Sequence, residues 1–100
     1  MPWMIMSDDD LSLHYLREDA EMMKAHTDWE ESIKEKILAA GSLRDDDGTH
    51  PTGGLLILDV ESKAEAEAIV QADPFTQAGL RTNLVMRYWY KSILAGQVYF

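Results

Sequence analysis

The chain has 100 residues, 46% of them apolar, and 18 acidic against 9 basic side chains give a formal charge of -9. A chain of this size forms one domain, here read as spanning residues 1–100, and its apolar share excludes intrinsic disorder. The negative charge repels phosphate backbones and anionic lipid, and no apolar run approaches the ~20 residues of a membrane span, so neither nucleic acid nor membrane is expected as a partner.

The opening Met1-Pro2-Trp3-Met4-Ile5-Met6 lacks the basic residues and cleavage site of a secretory signal, and the chain has no cysteine. Both predict a soluble, cytoplasmic protein. Residues 2–6 are apolar and too short for a helix, so they read as a strand buried on both faces. Asp8-Asp9-Asp10 ends it as a solvated charged turn. After a weakly helical stretch from Leu11 to Arg17, Asp19 caps a helix predicted to run to Ala40, with Gly41 in the left-handed closing position. Met22, His26, Trp29, Ile33, Ile37 and Ala40 form its apolar stripe, opposite Lys24, Asp28, Glu31 and Glu35. Glu30 and Lys34 form a favourable pair one turn apart.

Leu43 belongs to a short edge strand, followed by a polar, breaker-rich loop from Arg44 to Gly54. Leu55 to Val60 is a second apolar strand. Ser62-Lys63-Ala64-Glu65 is a capping box opening a helix to about Ala72, with Ala66, Ile69 and Val70 turned inward. Asp73 before Pro74, with Gly79 further on, has the pattern of a single capped helical turn. Thr82 to Tyr90 alternates as the last long strand. The apolar tail from Ile93 to Phe100 is expected to dock on its own body or on a neighbour.

This order is βαββαβ, the ferredoxin-like arrangement of the α+β class: a four-stranded antiparallel sheet with two helices on one face. A sheet wet on its other face should alternate, yet residues 2–6 and 55–60 are apolar at odd and even positions alike. A second copy packed sheet to sheet covers that face, so a homodimer is expected.

The same topology brings the start of the first helix and the end of the second to one end of the domain, and with them His26 and Asp73. A neutral imidazole in an apolar pocket can take a proton, while a carboxylate on its other nitrogen fixes the tautomer and stabilises the imidazolium. The competing readings are a satisfied core histidine and an aspartate whose work is capping; capping leaves lone pairs free for an imidazole. No cysteine, nucleophile elbow or phosphate-cradling loop accompanies the pair. His14 and His50 read as surface or loop residues, and the runs Asp8–Asp10 and Asp45–Asp47 as solvated turns, so neither a metal nor an organic cofactor is expected. Trp29 is a candidate wall of a small-molecule pocket. Arg87 is a candidate rim residue for an anionic group, against the plainer reading of an ordinary salt bridge.

Several of these features occur together in one family. The apolar first strand, the helix carrying Ala25-His26, Gly41, the glycine pair before Leu55–Leu58, and above all Ala72-Asp73-Pro74-Phe75 with Ala78-Gly79-Leu80 resemble the YciI-like (YCII-related) proteins over nearly the whole chain. The resemblance implies a dimeric α+β barrel with a site built from a histidine and an aspartate, mapping onto His26 and Asp73, and proton-transfer chemistry on small oxygenated rings. Thr27 departs from the family's usual leucine, Ser42 from its usual proline, and the tail from its usual end.

The leading expectation is a small cofactor-independent lyase or isomerase acting on a hydroxylated aromatic or enolisable metabolite, with His26 as general acid/base and Asp73 orienting it. The alternative is a dimeric binding or accessory protein that holds a small-molecule ligand without turnover. A cofactor-free monooxygenase of the same barrel type ranks third, since no residue singles out oxygen chemistry.

Overall fold

A computed structural model describes residues 1–100. The chain forms β1 (Pro2–Asp9), α1 (Ala20–Ser32), β2 (Ile37–Arg44), β3 (Pro51–Asp59), α2 (Lys63–Gln71), a one-turn α3 (Pro74–Gln77), β4 (Arg81–Tyr88) and a small hairpin, β5 (Ile93–Leu94) with β6 (Gln97–Val98). The four long strands make one antiparallel sheet in the order β2-β3-β1-β4, the ferredoxin-like topology.

Alternation along β1 decides which side chains reach the core. Ile5, Ser7 and Asp9 are buried on the helix side, while Met6 and Asp8 face outward. Ile5 joins Leu58 near the end of β3, Val60 just beyond it, and Ala66 and Val70 from α2 in one apolar cluster, with Trp3, Ile37, Leu56, Ile69 and Met86 around it. Ala66 and Val70 are one turn apart, so the α2 face they share lies flat on the sheet. Each large side chain buried here contributes about 1.5–3 kcal/mol.

The first helix is shorter than its periodicity predicts. It ends at Ser32, a 3-10 turn follows at Lys34–Lys36, and Ile37–Arg44 is an eight-residue strand rather than a helix end with a short edge strand after it. Ile33, Ile37 and Ala40 keep helical spacing, but β2 pairs with β3 from Ile37 opposite Leu58 to Arg44 opposite Pro51, and this ladder outweighs local propensity. Gly41 therefore lies within a strand and closes no helix. Lys34 pairs with Glu31 at 2.7 Å instead of Glu30, which leaves Glu30 for another partner.

The aspartate run is not a solvated turn. Asp8 accepts from Asn83, Asp10 caps a 3-10 segment (Leu11–Glu18) by accepting from Ser12, and Asp9 is fully buried against Arg17, at 2.6 and 3.0 Å. The tail forms its own hairpin, in which Lys91 lies 4.3 Å from the centroid of the Tyr99 ring. Tyr90, Ile93, Val98 and Phe100 are exposed.

Candidate functional site

Two caps bring the central pair together. Asp19 opens α1 by accepting the Met22 N–H at 3.0 Å, and His26, seven residues on, is the helix's one buried residue. Asp73 caps α3: extended backbone lets its Oδ1 accept the Phe75 N–H at 3.0 Å, and Pro74 takes the first helical position, where no N–H is needed. That same Oδ1 lies 2.8 Å from His26 Nδ1. The cap carboxylate thus serves the backbone and the imidazole at once.

Phe75, fixed by the turn that Asp73 caps, stacks on the His26 ring with centroids 4.4 Å apart and planes 25° from parallel. Trp29 lies 5.6 Å away, centroid to centroid. The guanidinium groups of Arg17 and Arg81 sit 5.4 and 5.5 Å from the Phe75 centroid. Arg81 Nε approaches Asp73 Oδ2 at 3.3 Å. Burial alone would raise the Asp73 carboxyl; hydrogen bonding and charge from His26, the charge of Arg81 and the Phe75 N–H together outweigh it and hold the group below its ordinary value. Asp73 is therefore an anion at neutral pH, able to accept from Nδ1–H.

The other ring nitrogen has a partner that sequence reasoning missed. Glu30 Oε1 is 2.6 Å from His26 Nε2, one helical turn along α1. The i,i+4 spacing from His26 was the available signal, hidden because Lys34 stands at the same spacing on Glu30's other side.

These groups open on a cavity of about 220 Å³ between the helices and the sheet, lined among others by Arg17, His26, Trp29, Glu30, Asp73 and Arg81. Cavities of roughly 150 Å³ admit a benzene ring. Three of the chain's four arginines, Arg17, Arg44 and Arg81, line it, in a protein of strongly negative charge.

Trp29 stands at this cavity; Arg87 does not. Along β4, Val85 faces Met6 but Thr82 faces Asp8, so β4 carries one residue more than β1 between these pairs. Asn83, at φ 50°, accommodates the extra residue in the left-handed region, which asparagine tolerates. The bulge reverses the alternation, so Arg81 turns to the helices, and Arg87, opposite Met4, is exposed on the outer face. An asparagine inside a strand pattern was the sequence signal for this reversal.

The glycine pair has two distinct reasons. A Cβ on Gly53 would overlap the Ser7 carbonyl, and one on Gly54 would overlap the Arg81 guanidinium. Outside the cavity, His14 Nε2 lies 2.8 Å from the Pro51 carbonyl, tying down one end of β3. Asp45, Asp47 and His50 cluster in an exposed loop, where Thr49 and His50 N–H groups occupy their carboxylates.

A family model for the YCII-related domain matches residues 1–89. The chain belongs to the YCII-related family. Among solved structures, 5-chloro-2-hydroxyhydroquinone dehydrochlorinase from Burkholderia phenoliruptrix AC1100, in complex with 2,5-dihydroxybenzoquinone, is 30% identical with a TM-score of 0.77, the match covering 90% of this chain and 94% of that one. No curated protein matches the chain. In this YCII-related domain the β5–β6 hairpin lies beyond the matched residues. No helix is long and apolar enough to cross a membrane.

Proposed function

We propose that this chain is a cofactor-independent lyase or isomerase that moves a proton on a small oxygenated ring, with His26 as general acid/base and Asp73 as its orienting partner. The observation that carries this reading is the 2.8 Å contact between His26 Nδ1 and Asp73 Oδ1 at the wall of a ring-sized cavity. With Nδ1–H held by an anionic carboxylate, Nε2 is the basic nitrogen. Proton removal from a hydroxyl or activated C–H leaves the electron pair on the substrate. That pair forms a new π bond as a leaving group such as chloride departs, or as a proton returns elsewhere; the first is elimination and the second isomerisation. Asp73 stabilises the imidazolium, Phe75 holds the plane of the imidazole by stacking on it, and Trp29 walls the cavity in which the substrate ring would sit.

The substrate class rests on two supports. Arg17, Arg44 and Arg81 favour a ligand rich in anionic or partly negative oxygen. The similar dehydrochlorinase was captured with a dihydroxybenzoquinone, an oxygenated ring of suitable size. The experiment is to incubate the protein with 5-chloro-2-hydroxyhydroquinone and other hydroxylated rings while following absorbance and chloride release. Turnover lost in His26→Gln supports the reading; turnover unchanged in that variant defeats it.

The reading includes a homodimer. Met4, Met6, Ile57 and Val85 are cross-strand neighbours on the sheet face away from the helices, and Met6 and Val85 are 41% and 46% exposed. A second copy packed on this face would remove them from water. An acidic chain without cysteine fits the cytoplasm.

One observation favours the alternative of a binding protein without turnover: Glu30 already sits at Nε2, the nitrogen a substrate would meet. Binding of the same rings, unchanged in His26→Gln and without product, would support it.

A further inference from the structure

Among the ionisable groups around the His26 ring, Glu30 is the one that reaches well into solvent. The imidazole is 9% exposed, Asp73 5%, Arg17 and Arg81 12% each, whereas the Glu30 side chain is 38% exposed while its Oε1 lies 2.6 Å from Nε2. A base enclosed in this way faces a difficulty after each proton abstraction. The imidazolium is held by Asp73 on one side and stacked on Phe75, and its proton needs an acceptor before the ring can act again. Asp73 is unsuited to carry that proton. It is buried, shared with Arg81 and the Phe75 N–H, and fixed as the cap of α3.

We propose that Glu30 is the proton relay of this site, passing protons between His26 Nε2 and bulk water. The inference rests on His26 being the base of the proposed reaction. Glu30 Oε1 is within ion-pair distance of Nε2 but off the N–H axis, so a small swing of the half-exposed side chain brings it into line. The proton that Nε2 takes from the substrate then moves to Oε1, and the ring returns to the neutral form with its remaining proton on Nδ1 facing Asp73. Rotation of the half-exposed Glu30 side chain then gives the proton to water and restores the carboxylate. In the elimination one proton net leaves the substrate for solvent as the leaving group departs; in the isomerisation a proton returns to the substrate and none is lost; in both, the protein groups end as they began. The attraction between carboxylate and ring also depends on the ring's charge: an imidazolium draws Glu30 in, whereas the Nε2 lone pair of a neutral imidazole repels it. Substrate therefore meets a clear Nε2 when the base is ready, and the relay closes on it when there is a proton to remove.

The test needs no substrate. In ring-labelled protein, at a pH low enough for the ring to carry both protons, NMR measures the exchange of the His26 Nε2 proton with water, with the exposed His50 ring as internal reference. A relay carries the proton outward, so exchange is expected to be at least about tenfold slower in Glu30→Gln than in the parent, and rising acetate should restore it. A signal too fast to observe in the parent that becomes observable in the variant counts as the same result. A carboxylate that merely covers the ring would do the opposite. Exchange unchanged or faster in Glu30→Gln, or indifferent to acetate, overturns the proposal. Glu30→Asp, which keeps the acid on a shorter stem, should fall between parent and Gln variant, and serves if the Gln variant is poorly folded. Turnover retained in His26→Gln would remove the catalytic reading separately and leave this exchange result standing.

Discussion

Asp73 Oδ2 and Arg81 Nε stand 3.3 Å apart, so the carboxylate that holds His26 through Oδ1 is itself held through its other oxygen. A carboxylate pinned at both oxygens fixes the ring direction more tightly than a single hydrogen bond does. Asp73→Asn retains the shape and the cap to Phe75, but it cannot give a full anionic acceptor to both His26 and Arg81. We expect stability to fall by about 2 kcal/mol, read by urea denaturation. Turnover of any ring that proves to be a substrate should fall about 10²- to 10⁴-fold, with a smaller change in KM than in kcat.

Acid stability should carry the same signature. The Asp73 carboxyl lies below its ordinary value of 3.8 in the folded protein, so it binds fewer protons there than in the unfolded chain. Its contribution is complete above that value and is lost as pH falls through the lower folded one. Denaturation midpoints of the parent should therefore drop more steeply below about pH 4 than those of Asp73→Asn. Asp45, Asp59 and Glu65 are depressed too, but they are common to both proteins and cancel in the comparison. Equal slopes would mean that Asp73 is not held as an anion by its partners.

Much of this arrangement was legible from residue patterns. Asp73-Pro74 with Gly79 marked the capped turn, and β order marked the end of the domain at which it meets His26. Glu30, Asp9 and Arg81 were missed for different reasons. Glu30 stands at i,i+4 from His26, but Lys34 competes for it until α1 stops at Ser32 where β2 joins β3; Asp9 follows the alternation of a β1 that runs past the apolar residues; and Arg81 turns inward only because Asn83 adds a residue to β4. Local spacing supports helix and strand about equally through Ile33–Ala40, and a strand read without its bulge places Arg81 and Arg87 on one face.

The bulge itself can be tested at Asn83. Its φ of 50° suits asparagine or glycine and is strained for a β-branched residue. Asn83→Gly should leave stability within about 0.5 kcal/mol, whereas Asn83→Val should cost about 1–3 kcal/mol. Thermal unfolding of the pair decides it. A well-tolerated valine would mean that β4 runs without the extra residue and that Arg81 need not face the cavity.

Two glycines provide a matched comparison. Gly54 gives the Arg81 guanidinium its space, while a Cβ at Gly41 would meet nothing within 4 Å. Gly54→Ala should displace Arg81 and cost about 1–3 kcal/mol, with weaker binding of oxygenated rings. Gly41→Ala should be neutral or slightly stabilising, because the unfolded chain loses more freedom than the strand does. Thermal shifts with and without 2,5-dihydroxybenzoquinone separate the two effects: loss of ligand response in the Gly54 variant alone ties Arg81 to recognition.

The proposed dimer makes the outer sheet face the most sensitive surface to added charge. Met6 and Val85 are neighbours across β1 and β4, and both leave apolar surface in contact with water in the single chain. At about 25 cal/mol per Å², a few hundred square ångströms covered by a second copy would contribute several kcal/mol, offset by the cost of association. Met6→Lys or Val85→Asp places a charge where two such faces would meet, without touching the helix side of the sheet or the cavity. Sedimentation at micromolar concentration should give a dimer for the parent and a shift towards monomer in either variant, with the cavity still binding its ring. A parent that sediments as a monomer would mean that this face is tolerated in water, and the β5–β6 hairpin, which also exposes apolar side chains, would become a surface to examine for a partner.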